Sequence, residues 1–498
     1  MSDTAYQLIA LVIYMVAMLA IGAWAYSRTS SLDDYMLADR GLGPAVSALS
    51  AGASDMSGWL LLGLPGAIYV SGLGEAWIAV GLTIGAWLNW KFVAPRLRTY
   101  TEVANNSITV PSFLENRLKD RSRLLRIASG IIIVLFFTFY VSSGVVAGGV
   151  FFESSFDASY HTGMIVVTAV VVAYTLFGGF LAVSYTDFVQ GTIMVLALVM
   201  VPVVGVFVTG GFAETADSIR AVDPDRLSMV AGVTGLGVIS SLAWGLGYFG
   251  QPHIIVRFMA LRTPQEAKQA RRIGIGWMLI SLFGAIGTAL VGIAYFQQNP
   301  EETLDDPEAI FLAMGQILFH PLVAGIMLAA VLAAIMSTIS SQLLVTSSAL
   351  VEDLYKAVFK TNASQKQLVF LGRMCVLVVA IIASALAWEQ SDTILGLVAY
   401  AWAGFGASFG PVILLALYWR RLTAAGALAG MVVGAVTVVI WGNVDVLTDN
   451  LYEIVPGFAL NLIVAVLVSL ATYKPDPTIE DEFDRAVEYA EREAEPAA

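Results

Sequence analysis

The chain has 498 residues and a formal net charge of −12; 58% of its residues are hydrophobic and only 13% are charged. Soluble domains carry about 25% charged residues, so the composition excludes a soluble globular protein and predicts a polytopic membrane protein that does not bind nucleic acid. The single cysteine, Cys375, excludes an internal disulfide and a cysteine-rich metal site. The three histidines, His161, His253 and His320, show no metal-ligand spacing, and we interpret them as solvated or loop-end residues.

Hydropathy predicts an all-α membrane protein with thirteen transmembrane helices, which centre near residues 16, 58, 85, 140, 171, 199, 239, 285, 333, 379, 406, 432 and 464. The first, at about residues 6–26, lacks a basic segment before it and is long enough to span a bilayer. We therefore expect a retained span rather than a signal peptide. Residues 1–473 are predicted to form one transmembrane domain.

The second span is interrupted by polar residues and glycines at residues 52–59, which read GASDMSGW. A charge at this depth is costly unless it is paired or faces a cavity. Glycine allows the helix to unwind, which would make the carbonyls of Ala53 and Met56 available to a small cation. For Asp55 we favour a cation-facing role; a cap on the N-terminus of a half-helix is the competing interpretation.

Aromatic residues accumulate near the interruptions of the apolar spans: Trp59, Tyr140, Trp244 and Tyr248. Aromatic side chains with a few directed polar groups form small-ligand sites. Tryptophan and tyrosine also form belts at membrane interfaces, and packing is a further alternative. The aromatics that lie beside glycines are therefore the better candidates for a substrate site.

Two charged residues, Arg40 and Asp187, are predicted at the cytoplasmic ends of the second and sixth spans. They could pair as a gate between the two spans. They could equally be solvated charges that flank the membrane, and the sequence leaves both interpretations open.

The seventh span is interrupted in the same way, at residues 244–252, which read WGLGYFGQP. It follows the first interruption by five spans, so the two halves would have opposite topology. Interrupted segments at matching positions point to an inverted-repeat transporter, here with repeats at about residues 45–209 and 229–418. Glycines that merely permit close helix packing are the alternative, but two interruptions in register favour the repeat.

The ninth span carries a cluster of hydroxyl groups at residues 337–341, which read STISS. Ser337 and Ser341 share one helix face, and Thr338 lies beside Ser337. Such side chains often bond a carbonyl of their own helix or a neighbouring helix. Four hydroxyls within five residues make a cation site an equally good interpretation.

Basic residues set the predicted orientation. With the N-terminus outside, the cytoplasmic segments, including residues 91–126 and 257–272, hold 24 of the 26 lysines and arginines; only Arg220 and Arg226 lie outside. The positive-inside rule then places the C-terminus in the cytoplasm. The tail, residues 474–498, carries nine acidic and three basic residues, and we interpret it as a solvated cytoplasmic segment, partly helical or disordered.

Over about residues 5–470 the chain resembles the sodium:solute symporter family. The stretches that carry the resemblance are ALSAGASDMSGW at 48–59, GGFLAVS at 178–184, WGLGYFGQPH at 244–253, AIMST at 334–338 and YAWAGFG at 400–406. The acidic tail and the loop at residues 301–308 do not obviously match.

The resemblance implies a leucine-transporter-type core of five plus five helices with extra flanking spans. It implies a sodium site formed by the carbonyls of Ala53, Met56 and Ala334 and the hydroxyls of Ser337 and Thr338, assisted by Asp55. It also implies a surround for proline, formed by Ser57, Gly58, Trp59, Tyr140, Trp244, Tyr248 and Pro252.

We therefore expect a secondary active transporter that takes up L-proline with co-transported sodium by alternating access, among the lipids of a bacterial cytoplasmic membrane. A symporter of another small amino acid or of a monocarboxylate is the nearest alternative. A transporter-like sensor is disfavoured because a tail of about 25 residues is too short for a signalling domain. The sequence has no phosphate-binding loop and no acid/base or metal cluster, so we expect neither ATP-driven transport nor an enzyme.

Overall fold

The computed structural model describes residues 2–27, 32–359, 363–390 and 392–492, and within these ranges the regular structure is helical apart from one isolated bridge between Leu42 and Leu261. The α-helices are Asp3–Tyr26, Leu32–Leu37, Pro44–Asp55, Leu64–Ser71, Trp77–Leu88, Ala94–Val103, Val110–Leu118, Leu124–Phe156, Tyr160–Val208, Phe212–Val222, Gly235–Ala243, Pro252–Met259, Glu266–Gln298, Ile310–Leu318, Pro321–Ser348, Lys356–Phe359, Gln365–Leu386, Ile394–Tyr418, Ala424–Trp441, Asp445–Thr448, Ile454–Thr472 and Pro477–Arg492. The 3-10 helices are Ala38–Arg40, Leu73–Ala76, Pro224–Leu227, Trp244–Gly250 and Pro307–Ala309, and the π-helical turns are Trp59–Gly63, Asn89–Val93 and Ala349–Tyr355.

Ten helical segments of the described residues are long and apolar enough to cross a membrane. They are Asp3–Tyr26, Leu73–Val103, Leu124–Phe156, Tyr160–Val208, Glu266–Gln298, Pro321–Tyr355, Gln365–Leu386, Ile394–Tyr418, Ala424–Trp441 and Ile454–Thr472. Large apolar side chains such as Ile13, Phe283 and Leu467 stay exposed on their outer faces. An apolar surface of this extent is typical of contact with lipid.

Two further segments, at positions where the sequence predicts interrupted spans, are each divided into helical pieces, and we call them the broken spans. The first broken span, residues 44–71, consists of the helix Pro44–Asp55 and a π-helical turn that leads into Leu64–Ser71. Between them Met56 leaves the helical conformation, with φ −78° and ψ 73°. A single uninterrupted helix of this length would be long enough to cross the membrane. Because of the break, this segment is not one of the ten long apolar helical segments.

The second broken span, residues 235–259, has three parts. The helix Gly235–Ala243 passes into the 3-10 helix Trp244–Gly250, and Gln251 then extends the backbone with φ −79° and ψ 106°. The chain becomes α-helical again at Pro252. Proline suits this first helical position because its fixed φ is helical and it has no N–H to satisfy.

The longest helix, Tyr160–Val208, is divided at Gly179. Its 49 residues would span about 73 Å if straight, more than twice the hydrocarbon thickness of a bilayer. Gly179 has φ 58° and ψ −155°, and a Cβ there would lie 2.6 Å from the Tyr35 ring. A glycine is therefore required at this point, and it separates one helix at residues 160–178 from another at residues 180–208.

Glycines also allow the second broken span to pack closely against the helix Trp77–Leu88. A Cβ on Gly85 would lie 2.2 Å from the carbonyl oxygen of Gly245, and a Cβ on Gly245 would lie 2.2 Å from that of Gly81. Backbones approach this closely only where both helices present small residues. Close packing was the alternative explanation of the glycines, and it applies to Gly245. The second span is broken as well, so both explanations hold there.

The acidic tail forms a helix that docks on the protein. The tail helix (Pro477–Arg492) buries Phe483 and Ala486, and the Phe483 ring lies 6.2 Å from that of Tyr100. Arg420 forms ion pairs with Glu480 and Asp484, both at 3.0 Å. The prediction of a partly helical tail is confirmed for these residues. The prediction that the segment is solvated was wrong for the buried face, because the net charge gave no sign of apolar residues that recur with the helical period. Residues 493–498 lie outside the described residues.

Candidate functional site

The first broken span meets the helix Pro321–Ser348, which we call the hydroxyl helix. Ser337 Oγ donates to the carbonyl oxygen of Ala53 at 2.7 Å and lies 3.1 Å from that of Ala334. Thr338 Oγ1 donates to the same Ala334 oxygen at 3.2 Å. Met56 stands at the break itself. Four of the five oxygens that the resemblance assigns to sodium are therefore linked by a chain of three contacts.

The sequence left two interpretations of these hydroxyls open: hydrogen bonds to helix carbonyls, or a cation site. The observed contacts are compatible with both. Thr338 bonds the carbonyl four residues earlier in its own helix, as such side chains usually do. Ser337 instead crosses to Ala53, 284 residues away in the chain. A hydroxyl has two acceptor lone pairs besides its proton and can rotate toward a cation. Buried carbonyl and hydroxyl oxygens without nitrogen or sulfur suit a small hard cation.

Asp55 links the two broken spans. Tyr248 donates its hydroxyl to Asp55 Oδ2, and Asp55 Oδ1 is buried without a hydrogen-bond partner. The Asp55 backbone carbonyl accepts the Ser57 N–H at 2.9 Å and Trp59 Nε1 at 3.2 Å. The N–H of Trp59 points to Ser57 Oγ at 3.4 Å rather than to the Asp55 carboxylate. The interpretation of Asp55 as a helix cap is therefore wrong in this conformation.

The candidate aromatic residues face one another across the broken spans. The Trp59 ring lies 6.3 Å from the Trp244 ring, and Trp402 stacks on Trp244 at 6.4 Å. Tyr248 meets Trp402 edge-on at 5.1 Å. All four are buried, so they line the interior instead of forming an interfacial belt.

Three further substrate candidates lie on or next to the broken spans. Tyr140 is buried beside Ser57 and Asp55. Gly58 is packed so tightly that a Cβ there would come 3.1 Å from Ala147 on the neighbouring helix. Pro252 begins the helix after the second break. The structure thus brings the predicted polar and aromatic side chains together, and Pro252 follows Tyr248 by four residues in the chain.

The predicted gate pair does not form. Arg40 donates to the carbonyl oxygens of Met259 and Ser107, both at 2.8 Å, and Asp187 is fully buried elsewhere. Asp187 forms an ion pair with Arg257 at 3.0 Å. Both open interpretations of Asp187 were therefore wrong, since it neither pairs with Arg40 nor flanks the membrane as a solvated charge.

Arg257 was missed because the sequence placed it in a cytoplasmic loop. Its side chain is fully buried and also donates to Ser50 at 3.0 Å and Ser341 at 2.6 Å. It lies only five residues after Pro252, a helical rise of about 7.5 Å, which is too short to bring it from the middle of a span to the membrane surface. That spacing was the available signal.

One histidine also contradicts its predicted surroundings. His161 and His320 are exposed, His161 near the Trp388 carbonyl and His320 at the start of the hydroxyl helix, as expected of loop-end residues. His253 is fully buried. It follows Pro252 directly, so its position next to the second break was the signal for a place in the interior.

Two solved structures share the fold. A Na+-coupled sialic acid symporter, in a substrate-bound outward-open state, matches with a TM-score of 0.80 over 94% of this chain and 98% of that one, at 19% identity. Mhp1, a nucleobase-cation-symport-1 family transporter in a closed conformation, matches with a TM-score of 0.55 over 91% and 98%, at 15% identity. Together with the apolar helices, they confirm the predicted all-helical membrane transporter fold.

Three similar sequences are named as proline transporters. The high-affinity proline transporter PutP of Bacillus subtilis is 63% identical over 94% of this chain and 98% of its own length. The osmoregulated proline transporter OpuE of the same organism is 55% identical over 94% and 95%. A sodium/proline symporter of Staphylococcus aureus is 51% identical over 96% and 95%.

The family model of the sodium:solute symporter family matches residues 35–434, which include both broken spans and the hydroxyl helix. The resemblance seen in the motifs is confirmed, and the chain belongs to the sodium:solute symporter family.

Proposed function

We propose that this protein couples the inward movement of sodium to the uptake of L-proline by alternating access. The observation that carries the proposal is the contact of Ser337 with the Ala53 carbonyl, which closes an oxygen-lined site at the first break. The choice of proline is supported by the relatives that are named as proline transporters, at 51–63% identity over nearly the whole chain.

Sodium is bound by the carbonyls of Ala53, Met56 and Ala334 and by the hydroxyls of Ser337 and Thr338. The hydrogen bonds among four of these groups support this assignment, because they place the oxygens of Ala53, Ala334, Ser337 and Thr338 at one point, 2.7–3.2 Å from their bonded neighbours. In this proposal Asp55 assists from the adjacent turn. Its unpartnered oxygen adds negative charge close to the cation.

Proline is bound by the groups that follow the sodium ligands in the chain. They are Ser57, Gly58 and Trp59 on the first broken span, Tyr140, and Trp244, Tyr248 and Pro252 on the second broken span. The facing aromatic rings support an apolar enclosure for the pyrrolidine ring. The start of the helix at Pro252 supports a place for the carboxylate, since a helix N-terminus favours an anion.

Coupling follows from the short distance between the two sets of ligands along the chain. The sodium ligands Ala53 and Met56 are directly followed by the proline ligands at Ser57–Trp59, so one ordered turn serves both. The bond between Asp55 and Tyr248 extends that order to the second broken span. Sodium that fixes this turn therefore lowers the conformational cost of binding proline.

The proposed architecture has thirteen crossings: the ten apolar segments, with Tyr160–Val208 counted as two helices, and the two broken spans. Inverted repeats cover about residues 45–209 and 229–418, and the N-terminus lies outside the cytoplasmic membrane. Two contacts support a place for the basic segments at one end of the molecule, since Arg96 bonds the Leu417 carbonyl and Arg123 bonds the Ala357 carbonyl.

The sodium gradient provides enough free energy for this transport. A tenfold gradient supplies about 1.4 kcal/mol, and a membrane potential of about 100 mV adds about 2.3 kcal/mol for one charge. Together they sustain a proline gradient of roughly 500-fold when one sodium ion moves with each proline. Because proline is a neutral zwitterion, each cycle carries positive charge inward.

The test is uptake of labelled proline into proteoliposomes that contain the purified protein. An inward sodium gradient should drive accumulation, a potassium gradient of equal size should not, and an inside-negative potential should increase the initial rate. Accumulation that persists without sodium under a proton gradient would overturn sodium coupling. Competition by hydroxyproline, alanine and pantothenate decides the solute: stronger inhibition by alanine or pantothenate than by unlabelled proline would overturn the choice of proline.

A further inference from the structure

Buried polar atoms without hydrogen-bond partners are spread over the described residues, and several of them belong to the two broken spans. Among the described residues they include Asp55 Oδ1, Gln251 Oε1 and both ring nitrogens of His253. Nearly all buried polar groups in folded proteins are hydrogen-bonded, and an unsatisfied one is costly. A buried polar group without a partner that also lies beside a proposed binding site is a candidate to bond a polar ligand.

His253 is the member of this group that the proposed site does not yet use. Its side chain is fully buried in the first turn of the helix Pro252–Met259. The imidazole meets the Tyr140 ring edge-on at 5.9 Å and the Phe137 ring at 5.5 Å. Tyr140 in turn lies beside Ser57, so His253 stands next to the groups assigned to proline.

The chemistry of the imidazole matches one end of an amino acid. A neutral imidazole has one N–H donor and one acceptor nitrogen. The ring of His253 lies at the N-terminus of an eight-residue helix, where the helix dipole favours negative charge. An N–H donor at this place suits a carboxylate better than it suits an ammonium group.

We propose that His253 is a further substrate-binding residue, whose ring N–H donates to the carboxylate of the transported amino acid. The inference rests on the proposed function and deepens it, since it assigns a specific protein group to the carboxylate. The imidazole is held in place from two sides by Tyr140 and Phe137, so little side-chain freedom is lost on binding.

Two substitutions separate hydrogen bonding from packing. H253F keeps an aromatic ring against Tyr140 but lacks both nitrogens, whereas H253Q keeps a donor and an acceptor but lacks the ring. A charge-assisted hydrogen bond predicts that H253F raises the KM for proline about tenfold or more in proteoliposomes, while H253Q stays within about threefold of the wild type. A packing role predicts the reverse order of the two variants, and that result would overturn the proposal.

The matched control is H161F, the same substitution at an exposed histidine near the Trp388 carbonyl, which should leave the KM unchanged. The sodium concentration for half-maximal rate should change less than the proline KM in H253F. If H253F does not accumulate in the membrane, H253M, which also lacks the nitrogens, takes its place in the comparison.

The carboxylate itself is tested by competition with prolinamide, which lacks the negative charge. The wild type should prefer unlabelled proline to prolinamide strongly as an inhibitor, and H253F should reduce that preference about tenfold. An unchanged preference would overturn the assignment to the carboxylate. Wild-type protein that shows no sodium-driven proline uptake contradicts the proposed function, whereas normal wild-type uptake with a normal H253F contradicts this inference alone.

Discussion

Ser337 and Thr338 provide two of the five oxygens of the proposed sodium site, and their hydroxyls bond the carbonyls of Ala53 and Ala334. Replacing either hydroxyl with alanine removes one oxygen from the proposed sodium shell. We expect S337A and T338A each to raise the sodium concentration for half-maximal uptake about tenfold or more, with a smaller change in maximal rate. Initial rates of proline uptake at varied sodium measure this.

The control for these two variants is S348A. Ser348 lies on the same helix, but its hydroxyl donates to the Leu344 carbonyl, four residues earlier in that helix, at 3.1 Å. Its replacement should leave the sodium dependence within about twofold of the wild type. Equal sodium dependence in all three variants and the wild type would remove Ser337 and Thr338 from the site.

The ion pair of Asp187 and Arg257 is a second place where single residues are expected to affect the free energy of folding. Both side chains are fully buried. R257A leaves the Asp187 carboxylate buried without its partner, which costs about 3–5 kcal/mol of folding free energy. The double variant D187L/R257L removes both charges and should be more stable than R257A alone. Unfolding in detergent measures both; R257A as stable as the wild type would contradict the prediction.

Much of the proposed site could be predicted from residue types and their local spacing. Ser337 and the residues around Asp55 were identified because polar groups and glycines are conspicuous within apolar spans. The hydrogen-bond and ion-pair partners of these residues could not be predicted. Asp55 bonds Tyr248, 193 residues away, and Asp187 pairs with Arg257 across 70 residues. Such pairs depend on how helices pack, which hydropathy along the chain does not encode.

At the scale of elements, the tail helix is docked on the rest of the protein. Phe483 lies 5.0 Å from the Arg117 guanidinium, whose pKa burial lowers below its usual value, and Glu482 forms an ion pair with Lys119. Ion pairs that are partly exposed contribute little. The buried phenyl ring is therefore expected to provide most of the stabilisation that holds this helix in place.

F483A tests that expectation. Loss of the buried ring should undock the tail helix and speed its cleavage by a glutamate-specific protease in inside-out vesicles by about tenfold or more, since removing a buried phenylalanine costs about 3–5 kcal/mol. Y489A is the matched control, because Tyr489 on the same helix is exposed. Equal cleavage of F483A and the wild type would show that the ion pairs hold the helix.

The breaks were the most predictable elements, and their positions follow from glycine, proline and polar residues within apolar runs. What the sequence could not give is the form of each break. The first opens at Met56 and continues through a π-helical turn, whereas the second passes through a 3-10 helix before Gln251. These forms depend on tight contacts such as that of Gly247 with the Trp402 ring, where a Cβ would lie 1.9 Å away.

At the scale of the whole molecule, the side-chain and backbone contacts sort the ends of the helices into two groups. Tyr160 bonds the Ala387 carbonyl at one end of the molecule. At the other end Ser347 bonds the Gly372 carbonyl. This sorting agrees with alternating spans, but contacts between helices are the same whichever end faces the cytoplasm. Only the distribution of lysine and arginine chooses between the two orientations.

Cysteine labelling decides the orientation directly, because Cys375 is the one cysteine of the sequence. In a C375S background, V230C lies on a loop where Val230 is 71% exposed, and T478C lies at the exposed start of the tail helix. With the N-terminus outside, a membrane-impermeant maleimide should label V230C in right-side-out vesicles and T478C only in inside-out vesicles. The opposite pattern would show that the N-terminus lies inside and the basic helix ends outside. The direction of the proposed transport cycle relative to the sodium gradient would then be reversed.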